Sequence, residues 1–226
     1  MSDPNACMCI MATRLVIFDF DGTLGDTRQN IVMTMQQVMR RLGLAVADER
    51  TCAATIGLPL ADCFRRIYDG MDAREAERCA EAYRQFFFAN AKRLVPQPFP
   101  HVLETMGALA RKGVAMAIAS SRTSRSLEGF VTDMGFRRYI GYVVGCEDVA
   151  HPKPHPEPVI RVLEALHFAP EEAMVVGDMP VDIMMGAAAG VCTCAVTYGN
   201  GTREELSAAQ PDFMIDSLAE LFGLLQ

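Results

Sequence analysis

Two closely spaced carboxylates near the start of the chain are candidates for a reactive site. Asp19 and Asp21 lie two residues apart, directly after the apolar run 15–18 and before Gly22. In an extended segment, side chains at positions i and i+2 point to the same side, so both acids face one place. Two acids held that close can bind a metal ion, attack as a nucleophile or exchange a proton. A structural Asp-Gly turn needs only one of them, so the pair favours a functional site.

A second acidic pair follows another apolar run. Asp178 and Asp182 lie four residues apart after Gly177, and Pro180 between them suits the first turn of a helix. Two carboxylates near a helix N-terminus can converge on one cation. A structural role, as an N-cap and a favourable charge at the helix dipole, is the alternative.

Hydroxyl groups and a lysine follow two further apolar runs. Ser120 and Ser121, with nearby backbone N–H groups, are candidates to bind an oxyanion, although capping of the next helix explains them at least as well. Lys153 lies between two prolines, which stiffen the backbone that presents its amine. His151 and His155 in the same segment are interpreted as loop residues rather than ligands.

Short apolar runs alternate with helical patterns along the chain. This alternation is typical of a parallel sheet covered by helices on both faces, so we expect a Rossmann-like α/β core. Such sheets bind ligands outside the carboxyl ends of their strands, where the residues above lie. Four carboxylates, a lysine and a hydroxyl gathered there match phosphoryl transfer assisted by Mg²⁺. The predicted strands are 14–19, 114–119, 142–146, 173–177, 191–196 and 212–215.

One long interval carries no strand pattern. Between Leu24 and about Pro96, apolar residues recur at helical spacing, which predicts an inserted α-helical cap domain over 25–96. The core domain is then 1–24 and 97–226, with hinges near Gly25-Asp26 and in the proline-rich stretch 96–100. Three apolar stripes mark the helices: Ile31, Met35, Val38 and Leu42; Leu60, Phe64 and Ile67; and Ala76, Ala80, Tyr83 and Phe87.

The composition limits the classes of function. The 226 residues are half apolar and carry a net charge of −7, which leaves no basic footprint for nucleic acid or for a membrane surface. No secretory signal and no apolar run of about 18 residues is evident, so we expect a cytoplasmic protein with reduced thiols. Cys192 and Cys194 are interpreted as small apolar residues of a strand rather than zinc ligands, and residues 1–10 as a disordered extension or a tag-like leader.

Taken together, four motifs resemble those of the haloacid dehalogenase superfamily, in particular its phosphoglycolate phosphatase-like subfamily with an α-helical cap. They are the segment 19–24 with the sequence DFDGTL, Ser120 after its apolar run, Lys153 before a proline, and the segment 177–182 with the sequence GDMPVD. Their order and spacing extend over residues 14–200. The resemblance implies a Mg²⁺-dependent phosphatase that hydrolyses a small, phosphoglycolate-like metabolite through an aspartyl-phosphate intermediate.

The resemblance also implies a role for each acid. Asp19 attacks phosphorus, while Asp21 protonates the leaving oxygen and then activates water. Asp19, the backbone carbonyl of Asp21 and Asp178 hold Mg²⁺. Asp182 completes the metal site by orienting the metal's water or Lys153.

The implied phosphate site consists of Ser120, Lys153 and the backbone N–H groups of Gly22 and Ser121. A dianionic phosphate is repelled by a cluster of carboxylates. Mg²⁺ and Lys153 must therefore first offset that repulsion.

Substrate choice is expected to lie in the cap. The segment 55–60 resembles the glycine-centred cap loop of the subfamily, with Gly57 inside it, and Arg65 and Arg122 are candidates to meet a second anionic group. Phosphoglycolate, pyrophosphate, sugar phosphates and nucleotides are all compatible with the sequence, and so are a monomer and a homodimer. Further cap cations are Arg66, Arg84, Lys92 and Arg93.

Related chemistries of the superfamily fit less well. Dehalogenases and the phosphonate-cleaving branch lack the second acid, which is present here as Asp21, and the cap lysine of that branch has only Lys92 as a counterpart between residues 22 and 100. Phosphomutases carry a histidine where this chain has Ile31. An inorganic pyrophosphatase stays open as the main alternative, and a phosphomutase or a non-catalytic binding module as lesser ones.

Overall fold

The strands form one parallel sheet and one short ribbon. A computed structural model describes residues 13–91 and 95–225 of the chain. Its strands are β1 (Leu15–Phe18), β2 (Gly25–Asp26), β3 (Gln97–Pro98), β4 (Ala115–Ala119), β5 (Ile140–Val144), β6 (Ala173–Gly177), β7 (Cys192–Val196) and β8 (Phe213–Ile215). Six of them pair in the order β5-β4-β1-β6-β7-β8, all parallel, and β2 pairs with β3.

The parallel sheet follows from the apolar runs of the sequence, and the predicted α/β core is confirmed. Leu15 of β1 lies opposite both Ala115 of β4 and Ala173 of β6. All four residues of β1 are fully buried, because packed residues cover both faces of the sheet. The largest displacement from the predicted bounds is at β5, which begins two residues earlier than expected, at Ile140.

Ten described helices accompany the strands. Four lie between β2 and β3: α1 (Arg28–Leu42), α2 (Glu49–Ala53), α3 (Leu60–Ile67) and α4 (Ala73–Ala91). The others are α5 (Val102–Arg111), α6 (Ser124–Asp133), α7 (Glu157–Leu166), α8 (Pro180–Ala188), α9 (Arg203–Ala208) and α10 (Ala219–Leu224). Successive residues of β1 alternate between two apolar clusters, with Val16 and Phe18 in one and Leu15 and Ile17 in the other.

Helices α1 to α4 form a helical segment with an apolar cluster of its own. The three predicted stripes lie on α1, α3 and α4, and Met35, Phe64 and Tyr83 are among the buried members of the cluster. Helix α2 was not predicted, because five residues are too few to display a helical period. It begins where the side chain of Asp48 accepts a hydrogen bond from the N–H of Thr51.

The ribbon joins the helical segment to the sheet. Gly25 pairs with Pro98 and Asp26 with Gln97, so the two chain crossings lie side by side. These crossings coincide with the two predicted hinges. Hinge motion itself stays a prediction.

Two expectations from the composition, on membrane-spanning helices and on cysteines, can be compared with the structure. Among the helices in the described residues, none combines the length and the apolar character that a membrane span requires. Cys194 is a buried free thiol of β7, as expected for a small apolar residue. Cys192 of the same strand is also buried among apolar residues, as expected. Residues 1–10 lie outside the described residues.

Candidate active site

The carboxyl ends of the parallel strands gather three of the predicted acids. Asp19 follows β1, Asp178 follows β6, and Asp182 lies in the first turn of α8. All three side chains are buried, and one carboxylate oxygen from each lies within 4.8 Å of the others. Because parallel strands end at the same edge of a sheet, acids far apart in sequence meet there.

Lys153 joins two of these acids. Its Nζ donates to Asp19 Oδ1 at 2.6 Å and to Asp182 Oδ1 at 2.7 Å, and its side chain is only 2% exposed. We call Asp19, Asp178, Asp182 and Lys153 the acidic cluster; with all its groups ionised, three carboxylates and one ammonium give it a net charge of −2. Buried charge is costly unless it is paired. Carboxylate oxygens are the ligands that Mg²⁺ and Ca²⁺ prefer, so the acidic cluster fits one divalent cation.

The pKa values of the acidic cluster reflect this crowding. Burial raises the pKa of Asp178 to about 7, and the charge of Asp182 contributes to the rise. Burial also raises the pKa of Asp19 well above its usual 3.8, although Lys153 opposes that effect. Burial alone would lower the pKa of Lys153, but Asp182 and Asp19 raise it above its ordinary value, so the amine stays charged.

Two residues that the sequence analysis missed hold Asp178. The hydroxyl of Thr23 donates to Asp178 Oδ1 at 3.0 Å. The backbone N–H and Nδ2 of Asn200 donate to Asp178 Oδ2 at 2.7 and 3.1 Å, and Nδ2 also donates to the carbonyl of Asp21 at 3.3 Å. Asn200 follows β7 in a Gly-Asn-Gly segment, so its place after a strand was the signal that could have identified it.

Gly22 lies where no side chain fits. Its φ is +96°, and a Cβ there would be 2.1 Å from Asp178 Oδ2 and 2.3 Å from Asn200 Nδ2. Glycine is the residue that adopts this backbone conformation without strain. The close approach of the segment 19–24 to Asp178 therefore depends on it.

The carboxylate of Asp21 is bound outside the acidic cluster. Its Oδ2 accepts a hydrogen bond from Arg122 Nε at 2.6 Å, and its Oδ1 accepts one from the hydroxyl of Thr27. The ion pair is largely buried, with the Arg122 side chain 10% and the Asp21 side chain 12% exposed. The Arg122 guanidinium also packs over the rings of Phe87 and Phe130, at 4.6 and 5.0 Å from their centroids. Arg122 thus contacts the helical segment through Phe87 and the core through Phe130.

The two serines after β4 have different contacts. The N–H of Ser120 donates to the carbonyl of Val144 at 3.0 Å, which continues the pairing of β4 with β5. The hydroxyl of Ser121 donates to the carbonyl of Gly57 at 2.6 Å. This bond links the loop between α2 and α3 to the carboxyl edge of the sheet.

A cavity of about 590 Å³ lies between the helical segment and this edge. Asp19, Asp21, Gly57 and Arg122 line it, as do both serines after β4. Arg65 is absent from the described lining; it is exposed on α3 and lies 3.5 Å from Asp62. Helical periodicity marks the buried stripe of α3 but does not tell which exposed position turns toward a cavity.

Glu157 at the start of α7 fixes the segment that carries Lys153. Its carboxylate accepts hydrogen bonds from the N–H groups of Ala150 and His151 at 2.8 and 2.9 Å. These bonds, that of Ala150 foremost, lower the pKa of Glu157 to about 2. His151 and His155 are exposed and lie close enough to Glu157 to share a metal ion with it, but the carboxylate already serves the backbone of this loop.

Comparison with known proteins adds the family. A family model described as haloacid dehalogenase-like hydrolase matches residues 16–196, a range that contains the whole acidic cluster. The chain belongs to the haloacid dehalogenase-like hydrolase family. The family resemblance seen in the sequence is therefore confirmed.

Relatives of this haloacid dehalogenase-like hydrolase match over almost its whole length. The "Probable phosphatase IndB" of Dickeya dadantii (strain 3937) is 36% identical and covers 92% of both chains. The "Pyrophosphatase PpaX" of Bacillus cereus (strain ATCC 10987 / NRS 248) is 32% identical and covers 95% of this chain and 97% of its own. A solved haloacid dehalogenase-like protein from Bacteroides fragilis superposes with a TM-score of 0.86 at 30% identity, over 92% of this chain and 99% of its own. Family membership and the intact acids identify this hydrolase as an enzyme of the phosphatase type.

Proposed function

We propose that this enzyme is a Mg²⁺-dependent phosphatase that transfers the phosphoryl group of a small monoester first to Asp19 and then to water. One observation carries the proposal: the acidic cluster, with a formal net charge of −2, reaches the cavity through Asp19, and Asp21 lines the same cavity. Asp19, Asp178 and the carbonyl of Asp21 are the groups that would hold the cation. Bound there, the cation would offset the repulsion between the acids and the phosphate.

In the first step, a carboxylate oxygen of Asp19 attacks phosphorus, and the bond between phosphorus and the ester oxygen breaks. Asp21, in its acid form, gives its proton to the departing oxygen. Lys153 donates to Asp19 and, through its charge, favours the ionised nucleophile. Ser120, Lys153 and the N–H group of Ser121 are proposed to bind the transferring phosphoryl group. The N–H of Gly22, also expected there from the sequence, instead donates to the carbonyl of Gly25 at 3.1 Å.

In the second step, Asp21 takes a proton from water while the water oxygen attacks phosphorus, and the bond to Asp19 breaks. Arg122 Nε donates to Asp21 Oδ2, an arrangement in which Asp21 is a hydrogen-bond acceptor, as this step requires. The first step requires the opposite state. Arg122 must therefore release Asp21 Oδ2 before Asp21 can act as the acid.

We further propose that residues 25–96 act as a cap on a core of 1–24 and 97–226. The separate apolar cluster of the helical segment and the ribbon at its two crossings support this division. The contact between Ser121 and Gly57 is proposed to belong to the closed form. Opening about Gly25-Asp26 and the stretch 96–100 would admit substrate, and closure would exclude water.

An inorganic pyrophosphatase is a second candidate. The similarity to the Bacillus cereus "Pyrophosphatase PpaX" over almost the whole chain favours it. The chemistry would be the same, with phosphate in place of an alcohol as the leaving group. A side-by-side comparison of kcat/KM for pyrophosphate and for phosphate esters separates the two candidates.

Phosphate release from a panel of esters and pyrophosphate tests the proposal. Turnover is expected with Mg²⁺ and its loss with excess EDTA. Asp21→Asn should lower kcat by at least about a hundredfold, because it removes the proton donor and acceptor. Equal turnover in Mg²⁺ and in EDTA would refute the metal requirement, and full activity of Asp21→Asn would refute the acid and base role.

A further inference from the structure

We infer that the substrate of this enzyme carries an apolar body of several carbons on its phosphate rather than a second anionic group close to it. The inference rests on the proposed phosphatase function and adds the class of the leaving group, an alkyl or aryl alcohol. It comes from the walls of the cavity above the acids.

The walls provided by the helical segment are mainly apolar. Ile31 of α1, Leu60 of α3 and Phe87 of α4 line the cavity, together with Ile56 and Leu58 of the loop before α3. An apolar group that leaves water for such surroundings gains free energy. A substrate that is polar throughout would leave these walls without a matching surface.

The cations of the described lining are already paired or exposed. Arg84 lies 2.8 Å from Glu77, and Arg122 lies 2.6 Å from Asp21. The third arginine among the described lining residues, Arg125, is exposed to solvent. Arg84 and Arg125 lie in solvent, where an ion pair contributes little. A carboxylate or second phosphate beside the reacting group would have to displace Asp21 from its largely buried pair with Arg122 or lie against apolar side chains, and both cost binding free energy.

The volume of the cavity also favours a substrate with an apolar body of several carbons. A volume of about 590 Å³ is in the range of cavities that bind drug-sized ligands. It equals the space of about twenty water molecules in the liquid. Phosphoglycolate or pyrophosphate would occupy a small part of it and leave the apolar walls facing water.

Two matched series of ligands test the inference on the wild-type chain. For n-alkyl monophosphates from ethyl to hexyl, kcat/KM of phosphate release with Mg²⁺ should rise by about fourfold for each methylene that becomes fully buried. Hexyl phosphate should then exceed both phosphoglycolate and pyrophosphate. The corresponding alkylphosphonates lack the scissile ester bond, and their Kd values from calorimetry should fall along the same series.

A variant with a filled cavity checks where the selectivity arises. Ala61 lines the cavity, so Ala61→Leu should flatten the dependence on chain length. Ala54 is exposed on the same helical segment outside the described lining, and Ala54→Leu should keep the wild-type dependence. Both ligand series on the wild type decide the inference even if Ala61→Leu does not fold.

The outcomes separate the inference from the proposed function. Turnover that is independent of chain length, or highest with phosphoglycolate or pyrophosphate, would overturn the inference and leave the phosphatase standing. No turnover of any ester, with phosphonate affinity still rising with chain length, would overturn the phosphatase proposal and keep the apolar selectivity of the cavity. Phosphonate affinity that does not change with chain length would overturn the inference on its own.

Discussion

Replacing Asp19 with asparagine should abolish turnover and at the same time stabilise the metal-free protein. Asparagine has nearly the same shape and can still accept a hydrogen bond from Lys153, which lies 2.6 Å from Asp19 Oδ1. The substitution changes the net charge of the acidic cluster from −2 to −1. It therefore removes the nucleophile and relieves part of the buried charge.

The size of the stabilisation follows from the geometry. At an effective dielectric constant of about 20, Asp178 and Asp182, each within 4.8 Å, each repel Asp19 by about 3.5 kcal/mol or more, which is about 7 kcal/mol together. Lys153 at 2.6 Å attracts it by about 6 kcal/mol, so the charge interactions nearly cancel. The cost of burying the carboxylate, which is the largest influence on the pKa of Asp19, then decides the sign. We expect the free energy of unfolding in EDTA to rise by about 1–3 kcal/mol and Tm by roughly 3–10 °C.

Thermal and urea unfolding in EDTA at about pH 8, repeated with excess Mg²⁺, measure this effect. Mg²⁺ should stabilise the wild type more than Asp19→Asn, because the variant offers one carboxylate fewer. The pKa of Asp19 is raised on folding. The free energy of unfolding of the wild type, relative to that of the variant, is therefore highest below about pH 4 and falls as the pH rises. The difference between the two proteins should therefore shrink at acidic pH.

Two results would refute this reasoning. One is a variant that is less stable than the wild type in EDTA at about pH 8, which would mean that Asp19 is held by favourable interactions rather than tolerated at a cost. The other is equal stabilisation of both proteins by Mg²⁺, which would remove Asp19 from the metal site. Phosphate release by the variant, with its purity checked by mass spectrometry, would contradict the nucleophile role.

Three further substitutions test the geometry of the site. Gly22→Ala should weaken Mg²⁺ binding and lower kcat by at least about tenfold, because its Cβ would meet Asp178 Oδ2 at 2.1 Å. A Mg²⁺ titration of activity measures both effects, and an unchanged affinity for Mg²⁺ would contradict the prediction. Arg65→Ala should leave kcat/KM within about twofold of the wild type, since Arg65 is exposed and outside the described lining of the cavity; a larger loss in steady-state kinetics would restore it as a substrate residue. Glu157→Gln should destabilise the protein above pH 4.5, because the pKa of Glu157 is lowered from 4.5 to about 2 on folding. The difference in stability from the wild type, measured by urea unfolding, should vanish as the pH falls toward 2. A difference that persists at about pH 2 would show a cause other than ionisation.

The sheet could be predicted because its strands are continuous apolar runs. The displaced start of β5 shows where such a signal fails. Gly141 lies inside β5, and a glycine weakens a strand pattern, so the predicted strand began only after it. Two of the five residues of β5 are exposed, because β5 is an edge strand with a single neighbour and needs less apolar character.

The acids of the site could also be predicted, because each follows a strand of a parallel sheet. Lys153 was among the predicted residues, but the pairing of Asp21 with Arg122 and with Asn200 could not be predicted. Arg122 and Asp21 are 101 residues apart in the sequence, and Asn200 is 179 residues from Asp21. Only the packing of β1, β4 and β7 into one sheet brings these residues together, and no local period records it.

Arg122 connects the position of the helical segment to the state of Asp21. One face of its guanidinium lies against Phe87 of α4, while its Nε donates to Asp21. If α4 moved away as proposed, water would reach the guanidinium, the effective dielectric constant would rise and the attraction between Arg122 and Asp21 would weaken. The hold of Arg122 on Asp21 would therefore depend on the position of the helical segment. A substrate body that enters against Phe87 would disturb the same contact, so binding in the cavity would loosen the same hold.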